Sequence, residues 1–238
     1  MSRISLRQEG LVVIDEALAA ATFKALAREV ARGDYRSVHA HKWDKAWRLW
    51  DGHPMRGESV YFDPHGIFGW KGPTYPTSTS VDLLIDAVRR VSADCPDVAG
   101  AEGADWVALY LSPWLYPVGS ALSLHQDGER YSGAFTLFTH TRWSVHWGGE
   151  LHVSPEVSPF VTQTKGGTTR SKAHDTDEAW MSDDGREDDD PGIATSVLPT
   201  PNRLVLIGAN RPHRVSRVDQ NAGAHLRASI AGFFLRAP

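Results

Sequence analysis

Ser120-Ala121-Leu122-Ser123-Leu124-His125-Gln126-Asp127 is a short β-prone run that ends in two metal-binding side chains. In a strand, residues i and i+2 share a face, so His125 and Asp127 project together while Gln126 points away. Outward from this run the same texture continues. Trp106–Leu111, Ala134–Thr139, Glu150–Val153, Arg203–Ile207, Arg214–Val218 and Leu226–Leu235 are short, β-rich and separated by glycine, proline or polar turns. That spacing predicts a barrel or sandwich. Gly148-Gly149 marks a turn or bulge in its middle.

The first third reads differently. Leu11-Val12-Val13-Ile14 is a short strand, and Asp15 is placed to cap a helix over Glu16–Arg32. Leu18, Phe23, Leu26 and Val30 recur there at near-helical spacing, and Gly33 serves as the stop. A second helix is expected over Ser80–Asp94, with Ser80 as cap and Leu83, Leu84, Val88 and Val91 as its buried stripe. Between them, Trp43, Trp47 and Trp50 fall at i, i+4 and i+7, which suits a short helical turn or two. The rest of Tyr35–Pro73, with Tyr61, Phe62 and Trp70, is expected to form loops and short strands over a pocket mouth. Ser154–Thr200 is polar, acidic and without periodicity. It is too long for an ordinary connection, so it is either a functional lid or a disordered stretch, with the lid favoured.

Composition bounds the function. At 238 residues, 41% of them apolar and 23% charged, the chain fits one large globular domain or two small ones. Its longest apolar runs are far too short to cross a bilayer, and Met1–Glu9 lacks an apolar signal-peptide core. The single cysteine, Cys95, excludes an intrachain disulfide framework and suits a reducing cytoplasm. Charge is uneven: His174–Pro191 carries nine acids against one base, Arg186, within a chain of net charge −4. There is no basic run and no stacking motif for nucleic acid. An acidic lid would steer a cationic ligand toward the site, whereas a solvated loop would do nothing of the kind.

By itself a His-x-Asp dyad is close to what chance supplies among eleven histidines and 29 acids. Its surroundings carry the argument. His213 follows the strand Arg203–Gly208, and Arg227 and Ser229 lie at i and i+2 of a terminal apolar strand, so they share a face. Two histidines and one carboxylate on one side of a metal suit a ferrous ion that keeps open positions for a cosubstrate and dioxygen. Arg227, fourteen residues beyond His213, is where a fixed cation can hold the far end of a dicarboxylate. Other histidines fit this pattern less well. His39-Ala40-His41 has no clear strand around it, and His140, His146 and His152 read as surface or packing residues. His225 reads as a polar rim residue.

Tyr116-Pro117-Val118-Gly119 ahead of His125-Gln126-Asp127, then Gly148-Gly149-Glu150-Leu151, His213 and Arg227-Ala228-Ser229, resemble the 2-oxoglutarate- and Fe(II)-dependent oxygenase superfamily. The resemblance is greatest to its prolyl-4-hydroxylase-like branch and covers nearly the whole chain, including Leu11–Leu18 and the helix after it. It implies a mostly β fold with flanking α: a double-stranded β-helix, or jelly-roll of the cupin kind, packed against amino-terminal helices. The whole of 1–238 would be one oxygenase domain, with 1–104 as helical and loop support. Residues 105–238 would form the jelly-roll core, with an acidic insertion at about 154–200.

The same resemblance implies that His125, Asp127 and His213 ligate Fe(II). Arg227 would pair with the distal carboxylate of 2-oxoglutarate, Ser229 would add a hydroxyl, and Tyr116 or Thr136 another. Dioxygen would complete the reactants. Iron halogenases of this superfamily carry a small residue at the carboxylate position, so Asp127 points to hydroxylation or a related hydrogen abstraction. The expected substrate is a small molecule, such as a cationic amino acid, an amino sugar or a specialised metabolite. Two alternatives stand beside it: a hydroxylase of protein, peptide or carrier-bound substrates, and a cupin-like metal protein that uses no 2-oxoglutarate.

Overall fold

Alternation along the strands decides which layer each residue serves. The computed structural model of the chain describes residues 3–40, 49–155 and 193–238. His41, Trp43, Trp47 and the acidic run His174–Pro191 lie outside the described residues. In chain order the elements begin with β1 (Arg3–Gln8), β2 (Leu11–Asp15), α1 (Ala20–Arg32), β3 (Tyr35–Ser37), β4 (Met55–Gly57) and β5 (Val60–Phe62). Two helices follow, α2 (Ser80–Asp94) and α3 (Pro96–Ala99), then β6 (Ala108–Tyr116), β7 (Leu122–His125) and β8 (Tyr131–Phe138). The last strands are β9 (Leu151–Val153), β10 (Thr195–Val197), β11 (Leu204–Gly208), β12 (His213–Val215) and β13 (Arg227–Leu235).

The pairings are antiparallel throughout these strands. A large sheet runs β1-β2-β11-β8-β13-β6-β4-β3, with β5 also on β6, and a four-stranded sheet runs β10-β9-β12-β7. The central strands of the large sheet are buried on both faces. Val12 and Ile14 of β2 and Leu204 and Leu206 of β11 share one apolar cluster with Phe23, Leu26 and Val30 of α1 and Leu84, Ile85 and Val88 of α2. Their neighbours Leu11, Val13, Val205 and Ile207 turn the other way, into a second cluster with Leu151, Val153 and Val215 of the small sheet. Hence these strands read as unbroken apolar runs rather than as alternating ones. No helix among the described residues is long and apolar enough to cross a membrane.

Several local expectations are corrected. Asp15 does not cap α1, which starts at Ala20 behind Ala19 with no side-chain cap. Its carboxylate is taken by Arg203 at 2.7 Å and by Ser5. The segment between is pinned by Asn202, whose side chain accepts from the Leu18 amide at 3.0 Å and donates to the Leu18 carbonyl at 2.8 Å. A missing cap forgoes only about 1 kcal/mol. Burying Leu26 completely contributes about 2 kcal/mol by itself, so apolar packing holds α1 without the cap. The cap of α2 is Thr79 rather than Ser80: its hydroxyl accepts from the Val81 amide. Leu83 is 50% exposed and Val91 only partly buried, while Ile85 and Ala87 take the inward face.

Strand ends move too. β6 runs past Pro113 to Tyr116, and Pro113, which cannot donate to a ladder, sits where β6 changes partner from β4 to β5. The segment read as an insertion to Thr200 contains β10, paired with β9. β1, ahead of the first expected strand, pairs with β2.

Candidate metal centre and its cavity

His125 is the last residue of β7 and His213 the first of β12, and the two face each other in register across the small sheet. Their rings lie 4.2 Å apart. Asp127 comes from the loop just beyond β7, not from the strand itself, with Oδ2 3.9 Å from His213 Nε2. One donor atom from each of the three lies within 4.8 Å of the others, the sole such group among the described residues. An ion about 2.1 Å from each donor spans atoms up to about 4.2 Å apart, so small side-chain rotations close the set.

Both rings are oriented from behind. His125 Nδ1 donates to the Ser123 carbonyl at 2.9 Å, and His213 Nδ1 donates to the Arg211 carbonyl at 2.9 Å. A proton held on each Nδ1 leaves each Nε2 with its lone pair for a metal. Ser123 is held in turn: its hydroxyl donates to the buried carboxylate of Asp51 at 2.9 Å and accepts from Trp50 Nε1. Gln126 points away, as alternation required, and its amide donates to the Asn210 carbonyl at 3.2 Å. That bond ties the loop after His125 to the loop before His213.

The large sheet supplies the facing wall in rungs. Arg227 pairs with Tyr116, Ser229 with Trp114 and Phe138, Ala231 with Ser112 and Thr136, and Phe233 with Tyr110 and Ala134. The third rung carries only small side chains, and this leaves space. The result is a cavity of about 300 Å³, in the size range of small-molecule sites. His125, Asp127, His213, Arg227, Ser229, Tyr116 and Thr136 all border it.

Arg227 closes the inner end. It is 1% exposed, its guanidinium lies 4.9 Å from the ring centres of Tyr116 and Phe138, and Nε donates to the Gly149 carbonyl at 2.6 Å. Gly149 permits this approach: its φ is +73°, and a Cβ there would stand 2.7 Å from Arg227 Cδ. The Ser229 hydroxyl is 3.4 Å from Nη1. Among the described residues no carboxylate forms an ion pair with Arg227. Burial pushes its pKa down to about 10, against the pull of Tyr116 and Glu150, so the group remains cationic at neutral pH. Burial also raises the Tyr116 phenol above its ordinary range.

The outer end is aromatic. Tyr61, Trp70, Tyr110, Tyr131 and Phe233 line it, with Arg130 at the rim. Tyr61 and Trp70 belong to the segment expected at a pocket mouth, whereas Tyr110 and Phe233 come from β6 and β13 and Arg130 from the loop before β8. Carrying the period-two count from Arg227 and Ser229 on to Ala231 and Phe233, and back from Tyr116 to Tyr110, would have found two of them.

The remaining histidines take other roles. His39 Nε2 contacts the Gly52 carbonyl at 2.9 Å, and His225 stacks on Trp147 at 4.4 Å. His140 is buried, with Nε2 donating to the Pro199 carbonyl at 2.6 Å and Nδ1 accepting from the Ala228 amide at 3.3 Å. Burial pushes its pKa down to about 4, which keeps it neutral.

No protein-family model and no curated protein matches the sequence. Solved structures do match. A prolyl-4-hydroxylase from Pseudomonas putida is similar at 18% identity and TM-score 0.58, over 96% of this chain and 94% of that one. A 2OG-Fe(II) oxygenase family oxidoreductase from Burkholderia pseudomallei is similar at 15% identity and TM-score 0.56, over 97% and 87%. SnoN, a non-heme alpha-ketoglutarate-dependent epimerase from nogalamycin biosynthesis, is similar at 15% identity and TM-score 0.53, over 97% and 80%. The chain thus shares its mostly β, antiparallel fold with the 2-oxoglutarate/Fe(II) oxygenases, prolyl hydroxylases among them.

Proposed function

We propose that this protein is an Fe(II)- and 2-oxoglutarate-dependent dioxygenase, an oxidoreductase that breaks a C–H bond of a small molecule. On this reading 1–238 is one domain, and the two sheets are the halves of a jelly-roll packed against α1 and α2. His125, Asp127 and His213 would hold the iron and Arg227 the distal carboxylate of 2-oxoglutarate, with Ser229 beside it and Tyr116 as its ring support. When bound, iron and keto acid supply the oxidising power, consuming dioxygen and yielding succinate and carbon dioxide. The chain's part is to hold the reactants in line and to exclude water. Thr136, on the small-residue rung, adds a hydroxyl to the cavity wall.

The observation that carries the reading is Arg227. An unpaired buried charge costs several kcal/mol, on the order of 3–5. A carboxylate entering the same cavity as the three candidate ligands offsets that cost, and the planar guanidinium suits it. The donor set fits ferrous iron equally well: two neutral imidazoles and one carboxylate, with room on the cavity side.

Hydroxylation, desaturation, ring closure and epimerisation all begin with the same abstraction. Oxygen-dependent succinate release, screened over small molecules and prolyl peptides, tests the proposal. Release coupled to a small molecule and lost in His213→Ala is the expected result. Coupling to peptides alone would move the substrate class, and turnover without 2-oxoglutarate would contradict the cosubstrate assignment.

A further inference from the structure

Among the described strands β7 lies at an edge. It carries His125 and leads into Asp127, yet its one strand partner is β12, and that register slips between His213 and Val215. All four of its residues are only half-buried. The approach to β7 is held from the opposite side by the 3-10 turn Leu49–Asp51 and the two residues after it. The Ser120–Ala121 peptide shows this directly. Its carbonyl accepts from the Val218 amide at 2.9 Å, and its N–H, pointing the other way, donates to the Asp51 carbonyl at 2.8 Å. Beside it the His53 amide donates to the Ser120 hydroxyl at 3.2 Å. Gly52 lets the two stretches lie this close: its φ is +74°, and a Cβ there would stand 2.6 Å from the Gly119 carbonyl oxygen.

The Ser123 hydroxyl is caught between two side chains of the same turn. Trp50 Nε1 stands 3.2 Å from it, and the two oxygens of the Asp51 carboxylate stand 2.9 and 3.0 Å from it. An indole N–H can only donate and a carboxylate can only accept, so the hydroxyl takes from Trp50 and gives to Asp51, in one direction. Asp51 is 1% exposed, and a hydrogen bond to a carboxylate is stronger than one between neutral groups. Ser123 is also the residue whose carbonyl holds His125 Nδ1. Fixing its side chain therefore steadies the backbone that sets the direction of the imidazole. His213 has less need of such a strap, because β12 lies between β9 and β7 and is paired on both sides. Asp51 itself does not border the cavity.

We propose that Asp51 is a positioning residue of the metal centre, holding Ser123, and through it the His125 imidazole, from behind edge strand β7. This rests on the metal-site reading above and adds a residue that touches neither the metal nor the cosubstrate.

Co(II) added alone to the metal-free protein tests it, by titration calorimetry and by the proton NMR signals of the two metal-bound imidazoles. Each ring keeps an Nδ1–H, whose exchange with solvent reports how firmly its carbonyl partner is held. Wild type should bind one Co(II) and show two slowly exchanging N–H signals. Asp51→Ala should weaken Co(II) about tenfold or more, the scale of losing a group that orients a metal ligand. It should also speed the exchange of one signal about tenfold and leave the other unchanged. Asp51→Asn keeps an acceptor oxygen and should weaken Co(II) only about threefold. Ser123→Ala deletes a single hydroxyl and should reproduce both readings even where Asp51→Ala does not fold, and the double variant should be no worse than either single one. Wild-type affinity and exchange in Ser123→Ala, or equal acceleration of both signals, would overturn the proposal and leave the metal centre standing. A wild-type protein that binds no Co(II) would remove the centre itself, and the strap's role with it.

Discussion

At the inner end of the cavity one cation, Arg227, is sealed between Tyr116 and Phe138 at 1% exposure, whereas at the outer end Arg130 stands exposed over the Tyr131 ring. The two arginines have the same chemistry and opposite surroundings. Desolvation makes the inner guanidinium strong toward a carboxylate and intolerant of anything else. Solvent screens the outer one, so its charge contributes far less to any contact it makes.

Removing Arg227 should give the largest effect. Arg227→Ala is expected to raise the 2-oxoglutarate concentration needed for half-maximal turnover by roughly a hundredfold, from the 2–5 kcal/mol typical of a buried charge pair. Metal binding, measured by iron retention after desalting, should survive. An Arg130→Gln enzyme should show almost no change in 2-oxoglutarate requirement, and a comparable rise there would erase the distinction between the ends.

Acid sharpens the contrast next. His140 backs the inner end through Ala228 and is held neutral, its pKa pushed down to about 4 by burial. The unfolded chain takes up this proton near pH 6.5, before the folded one does. Stability from this group is therefore full above that pH and is lost as pH falls from about 6.5 toward 4, on the order of 3 kcal/mol in all. Thermal melts across that range should show the loss, and His140→Gln should flatten it. A histidine variant with the wild-type slope would assign the acid lability elsewhere.

Salt gives the smallest effect. Raising ionic strength from about 0.02 M to 0.5 M should weaken 2-oxoglutarate less than twofold, because the sealed guanidinium is hidden from screening. Calorimetry at both salts reads the difference directly.

Chemistry-bearing residues were legible in the sequence because short segments hold them. Arg227 and Ser229 share a face of β13, so local periodicity aligned that pair, whereas His125 and Asp127 are two apart in sequence but Asp127 is carried by the loop beyond β7. The joining of His125 with His213 needed a partner strand, which motif order suggested and the β7–β12 register supplies. What failed was set by distant partners. Asp15 has the residue type of a helix cap, yet Arg203, far along the chain, holds it. Pro113 looks like a strand end, yet β6 passes through it where its neighbours change. β10 lies at the edge of a polar stretch, and only its pairing to β9 makes it a strand. The outer aromatic wall was half seen, since Tyr61 and Trp70 sit in a loop-rich region while Tyr110 and Phe233 pass for core residues of strands.

The central claim is that three ligands on one side of a cavity and one guanidinium at its end hold iron and a keto acid together. Anaerobic addition of Fe(II) and then 2-oxoglutarate, followed in the visible range, tests it most directly. A charge-transfer band that requires both components, saturates at one equivalent of iron and disappears in His213→Ala is the predicted result. A colourless mixture, or a band that persists undiminished without His213, would contradict it.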